Sequence, residues 1–159
     1  MIATDRSVWS VPEVSVAFLS FVLHFVWEFI QVPFFAGLPT ADHWAAIKVC
    51  TRATAGDVGF ALIAFWTTAA VARSRRWITS PRMREVTVFL AVGVALTVAA
   101  EFHATEIAER WAYADTMPTV PVIGTGLTPL LQWIVVPLLV ISVGRRLVSA
   151  PNRSLRARD

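Results

Sequence analysis

Four long stretches of the chain are almost free of charge. Each is close to the roughly 20 apolar residues that a helix needs to cross a hydrocarbon layer. They run over about 14–35, 55–72, 86–108 and 126–144. None shows the ten-residue alternation of a membrane barrel strand. The pattern therefore predicts an all-α, polytopic fold with four transmembrane helices in a single domain, 1–148, followed by a basic tail, 149–159. Pro12 and Pro129 fall near helix starts, where a missing N–H costs little. Pro33 and Pro137 fall inside the spans and are expected to bend them. The first stretch is longer than the apolar core of a signal peptide, carries His24 and Glu28, and is followed by no small-x-small cleavage pattern, so it reads as a permanent helix. Residues 40–51 predict a short interfacial helix in the first outer loop, capped by Thr40 or Asp42, with Trp44, Ile47 and Val49 against lipid.

Composition strengthens this reading. The 159 residues are 56% hydrophobic and only 16% charged, whereas soluble domains carry about a quarter charged. Seven Gly, nine Pro and one Cys exclude collagen, low-complexity disorder and a disulfide framework. The net charge of +3 comes from arginines set in blocks between the apolar stretches. That is a topology signal, and no nucleic-acid partner is expected. Of the 14 basic residues, all but Lys48, Arg52 and Arg110 fall on the side of the N-terminus, the 73–85 loop and the tail. The positive-inside rule then places both termini in the cytoplasm and the loops 37–54 and 109–125 outside, in a bacterial inner membrane.

Acidic residues follow the opposite bias, and several lie within the spans, where an ionisable side chain costs a few kcal/mol. His24 and Glu28 are one helical turn apart and share a face, which Gln31 continues. Asp57 sits at the outer mouth of the second span between Gly56 and Gly59, small residues that admit a neighbouring helix. Glu101 ends an uncharged run in the third span. At 100° per residue, Thr105 and Glu109 fall on its side, with His103 and Arg110 opposite. Gln132 and Trp133 lie two turns into the fourth span. Alternating helix directions bring all of these to one level in the outer half of the bilayer. Each also has a plainer use: a hydrogen bond between helices, a helix-end charge for Asp57, or a solvated end for Glu106, Glu109 and Arg110.

Such a pocket would use Glu28, Glu101, His24 and Asp57 as catalytic groups. Trp27, Gln31, Trp111, Tyr113, Gln132 and Trp133 would line it as ligand-binding residues. The sequence requires no cofactor. A metal, if held, would draw on His24, Glu28, Glu101 and His103, which are ligand types on facing helices. The paired Glu-x-x-His motifs of a di-iron bundle are absent, and one cysteine excludes a Cys-rich zinc site.

From Glu101 the chain reads W-x-Y-x4-P-x2-P-x2-G-x-G-L-x-P-L-L-Q-W-x3-P, and earlier it holds H-F-V-W-E-F-I-Q-V-P and C-T-R-A-T-A-G-D. Together these resemble a family of small four-helix bacterial membrane proteins without assigned function. More distantly, Glu101, Trp111, Tyr113 and Pro129 are similar to a motif of membrane carotenoid hydratases and small lycopene cyclases. That resemblance implies intramembrane acids acting on isoprenoid double bonds, although Leu130, Leu131 and Gln132 stand where the cyclases carry a paired acid. The expected function is an intramembrane enzyme of lyase, hydratase or isomerase type, with Glu101 or Glu28 as proton donor to a lipid or isoprenoid. The alternatives are a non-enzymatic subunit or assembly factor of a larger membrane complex and a proton- or cation-coupled carrier. Besides the bilayer, the expected partners are a hydrophobic small molecule and a membrane protein or second copy of the chain.

Overall fold

The computed structural model describes residues 8–149. The tail expected at 149–159 lies, beyond its first residue, outside them. Four helices form: α1 (Pro12–Gln31), α2 (His43–Ala72), α3 (Met83–Phe102) and α4 (Leu127–Ser149). Among the described residues there is no strand, only two isolated bridges, Phe35 with Tyr113 and Thr119 with Gly126.

The helix ends follow from local chemistry. Pro12 opens α1, which stops at Gln31 as the chain tightens into a 3-10 turn over Val32–Phe34. Pro33 thus ends α1 instead of bending it, because its ring lacks the N–H that another helical turn would need. Asp42 caps α2, accepting the N–H groups of Trp44 at 3.0 Å and Ala45 at 3.2 Å. The segment 40–51 is helical from His43 on, but it is not a separate interfacial helix. It forms the first turns of a 30-residue α2. No proline interrupts the ladder, and the Thr51 and Thr54 hydroxyls fold back onto the carbonyls of Ile47 and Cys50 at 2.7 and 2.8 Å.

At the start of α3, Glu85 accepts the Arg82 N–H at 2.8 Å. At its far end α3 widens into a π-helical turn, His103–Ile107. This turn closes with Ala108 N–H on His103 O and Arg110 N–H on Ala104 O, both at 2.8 Å, with Glu109 left-handed at φ 46°. The α phase is lost there. The expected face of Glu101, Thr105 and Glu109 therefore breaks up, and Glu109 is an exposed residue of the cap. Pro137 lies inside α4 and is buried.

Each helix packs on two others, α1 on α2 and α4, and α3 on α2 and α4. At one end Arg75 grips Glu13 through two hydrogen bonds of 2.8 and 2.9 Å. At the other, residues 34–36 pair with 112–114 through Ala36 N–H on Ala112 O and Ala114 N–H on Phe34 O, both at 2.9 Å. These contacts alternate along the chain, so the helices run up, down, up, down. Phe65, Trp77, Ile78, Phe89, Trp133, Val136 and Val140 fill the apolar core.

The bundle is inside out compared with a soluble one. Phe21, Phe29, Ile63, Leu138 and Leu139 are exposed, while Ser20, His24, Glu28, Gln31, Thr54, Thr68, Thr97 and Gln132 are buried. An apolar exterior on four helices long enough to cross a bilayer fits lipid as the surrounding solvent.

Candidate functional site

The α1 stripe Ser20, His24, Glu28, Gln31 faces inward because its spacing of three and four residues keeps it on one face. It meets α2 at Asp57 and α4 at Gln132. The Gln132 side-chain nitrogen is the hub, 2.9 Å from His24 Nδ1, 3.1 Å from Glu28 Oε1 and 3.2 Å from Asp57 Oδ2. Gln31 donates to the same Glu28 oxygen at 3.0 Å. The Trp133 indole N–H donates to Asp57 Oδ1 at 3.0 Å. His24 is 1% exposed, Gln132 2% and Trp133 0%, so bulk water does not serve these groups.

The hydrogen inventory of the cluster is short. An amide –NH2 carries two hydrogens, so only two of the three contacts around Gln132 are hydrogen bonds at one time. His24 Nδ1 is also 3.4 Å from Asp57 Oδ2. With a proton on Nδ1, His24 serves Asp57 and the amide serves the two carboxylates. With that proton moved to Nε2, Nδ1 accepts from the amide, and one carboxylate is released. Two hydrogen-bond patterns therefore differ by the position of one proton. Among the described residues no Lys or Arg forms an ion pair with Glu28 or Asp57.

Trp133 sits at the centre of the packing. Its ring lies 5.1 Å from that of His24, and a Cβ placed on Gly93 of α3 would overlap it. Close helix approach thus occurs at Gly93, not at Gly56 and Gly59, where nothing stands within 4 Å of an added Cβ. Trp27 is half-buried, and its indole N–H is enclosed without a partner.

Glu101 forms a neighbouring centre, within coulombic reach of both Glu28 and Asp57. Its Oε2 accepts from the Tyr113 hydroxyl and, at 3.4 Å, from the Trp111 indole N–H. The loop is held there by the Phe35 bridge and by Phe35 packing on Tyr113, ring centres 5.7 Å apart. Gly126 lets the loop close, since an added Cβ would crowd Met117 Sδ at 3.0 Å and the Tyr113 ring at 3.1 Å.

Burial, and then the hydrogen bond to the Glu101 carboxylate, push the Tyr113 phenol well above its ordinary value. Tyr113 is the chain's single tyrosine, so its ionisation can be read directly from the phenolate ultraviolet band. No band is expected in the folded protein at about pH 10, where a free tyrosine is half ionised. The unfolded chain then loses a proton that the folded one keeps. The stabilisation from Tyr113 is accordingly complete below that pH and is lost as pH rises toward the folded value. Glu101→Gln removes the second cause but not the first, so ionisation should begin earlier yet remain above the free value. A folded-state band at about pH 10 would contradict the Glu101–Tyr113 contact.

The proposed metal set does not assemble. His103 is exposed on the π turn, and among the described residues no three His, Cys, Asp or Glu side chains form a group able to hold a metal ion. The other candidates do gather, His24, Glu28, Gln31, Asp57, Gln132 and Trp133 in one cluster, and Glu101, Trp111 and Tyr113 beside it. Gly93 and Phe35, which the sequence did not single out, hold aromatic residues of these two centres, and Gly126 serves as a turn residue of the loop. A glycine within an apolar span was the available signal for Gly93.

An apolar-surfaced four-helix bundle enclosing carboxylate, imidazole and amide groups is an integral, multi-pass membrane protein. No protein-family profile, curated protein or solved structure matches the chain.

Proposed function

We propose that this protein is an intramembrane acid–base catalyst acting on a lipid or isoprenoid. The observation that carries the reading is the Gln132 hub, whose two hydrogen-bond patterns differ by one proton on His24. In this reading Glu28 carries a proton on Oε2, the oxygen that Gln31 and Gln132 leave free, and gives it to a substrate double bond, leaving a carbocation. Loss of a neighbouring proton to Asp57 or His24 completes an isomerisation. Attack by water, with its surplus proton returned to the cluster, completes a hydration. The Trp133 ring, centred 5.1 Å from that of His24, is an aromatic group able to stabilise a positive charge beside the cluster. By the sequence bias the site lies toward the outer leaflet.

The test compares bacterial membranes containing isoprenoids and equal amounts of the wild-type chain, Glu28→Gln or Asp57→Asn. Extracted lipids are resolved by chromatography and mass spectrometry, hydrates by the mass of one water and isomers by retention. The wild type should alter one lipid species, and each variant should lower that conversion about a hundredfold or more. Identical lipid profiles for wild type and variants would sink the reading.

A second reading, a non-enzymatic subunit of a larger membrane complex, is favoured by an aromatic ridge on α1. Phe21 stacks on Phe25 at 5.9 Å and Phe25 meets Phe29 edge-on at 5.0 Å, with Phe21 and Phe29 exposed. A partner at fixed ratio in gentle pull-downs, retained when both Glu28 and Glu101 are substituted, would support it.

A further inference from the structure

At the end remote from the Gln132 hub, α2 closes in a turn that folds back over its own last residues. Arg73 is left-handed at φ 54°. Its N–H returns to Ala70 O at 3.2 Å, and the Ser74 N–H to Ala69 O at 3.0 Å. Arg73, Ser74 and Arg75 therefore come back beside Trp66, Ala69 and Ala70, and these six residues line an open cleft of about 370 Å³. The two alanines are too small to fill it. Trp66 is 47% exposed, and Ile63, three residues earlier on the same face of α2, is exposed as well. The apolar floor thus runs on from the helix end into the span.

The charge of the cleft is positive. Arg75 is held in place by Glu13, to which it donates through Nε and Nη2 at 2.8 and 2.9 Å, with its guanidinium 5.3 Å from the centre of the Trp66 ring. Its Nη1 donors take no part in that pair. Among the described residues Arg73 forms no ion pair, and no acidic side chain lines the cleft. Arg84 brings a further guanidinium to the same helix end, donating through Nη2 to Val71 O at 2.6 Å.

We propose that this cleft binds an anionic phospholipid. Arg73 and the Nη1 edge of Arg75 hold its phosphate, and an acyl chain lies along Ala70, Trp66 and Ile63. Charge and shape together select this occupant. A zwitterionic head brings its own cation against the arginines, and a free anion leaves the apolar floor uncovered. By the arginine bias this end of α2 faces the cytoplasm, so the lipid belongs to the inner leaflet, where basic sites beside membrane helices collect anionic heads. The inference does not depend on chemistry at the Gln132 hub.

The experiment uses the full chain in phosphatidylcholine nanodiscs doped with phosphatidylglycerol or phosphatidylcholine that carries a diazirine near the start of one acyl chain. Crosslinks are mapped by mass spectrometry. The phosphatidylglycerol probe should label the 63–70 segment several-fold more than the phosphatidylcholine probe. Arg73→Asn removes the charge and keeps a residue suited to left-handed backbone, so the helix end should hold. Its labelling should fall about fivefold, the effect of one exposed charge pair. Ala70→Leu fills the cleft without altering its charge and should lower labelling as much. Arg146→Ala removes an equal charge from α4, outside the cleft, and should leave labelling unchanged. Glu28→Gln should also label as the wild type does, which separates this result from the fate of the acid–base reading. Equal labelling by both probes, or an equal loss in Arg73→Asn and Arg146→Ala, would mean diffuse attraction to a basic surface and would overturn the inference. So would unchanged labelling in Ala70→Leu. Displacement of the probe by millimolar inorganic phosphate at constant ionic strength would make the cleft a site for free anions and would overturn it too.

Discussion

Gln132→Leu is expected to lower stability by about 1–3 kcal/mol, because it takes hydrogen bonds from buried polar groups that no water replaces. The substitution keeps the size of the side chain and removes the one amide that touches His24, Glu28 and Asp57 together. Glu28 keeps Gln31, and Asp57 keeps Trp133. His24 loses its closest polar contact and retains only the longer one to Asp57. The check is unfolding of the purified protein in mild detergent, followed by helical circular dichroism. A double variant sharpens it. In a Glu28→Gln background one partner no longer carries a carboxylate, so Gln132→Leu should cost clearly less than in the wild type. Equal costs in both backgrounds would mean that the amide and Glu28 are not coupled. An unaltered Gln132→Leu would mean that the hub does not hold the helices together.

The second large effect is a contrast between two glycines. Gly93→Ala should destabilise by about 1–3 kcal/mol, the usual result of forcing a methyl group into a filled core. The new Cβ would occupy the position of the Trp133 ring. Trp133 would have to turn away from Asp57 and from His24, so the site is disturbed along with the packing. Gly56→Ala is the same chemical change on α2, where nothing stands within 4 Å. There alanine should stabilise the helix by about 0.5–1 kcal/mol. Opposite signs in one thermal unfolding series would establish where the helices meet. A loss at Gly56 as large as at Gly93 would place a contact that the bundle does not have.

These two predictions rest on information of different kinds. The four spans, the Asp42 cap and the inward stripe of His24, Glu28 and Gln31 were legible in the sequence. Each depends on neighbours within one or two turns, where spacing alone decides direction. The gathering of Asp57, Gln132 and Glu101 at one level followed from counting alternating spans.

Other features depended on partners distant in the chain, and only the tertiary structure decided them. Gly56 and Gly59 have the small size of an interface, but size cannot say which helix approaches, and the approach occurs at Gly93. His103 has the chemistry of a ligand, yet the π turn shifts the helical phase and leaves it exposed. Residues 40–51 carry their own cap and apolar face, which do not say whether the helix stops before Asp57; in the bundle it runs unbroken to Ala72. The Gln132 hub is the clearest case. An amide in an apolar span reads as helix glue, and its role at the meeting of two carboxylates and an imidazole exists only once three helices are packed. Local spacing fixes which way a side chain points along its own helix, and packing across helices decides what it meets.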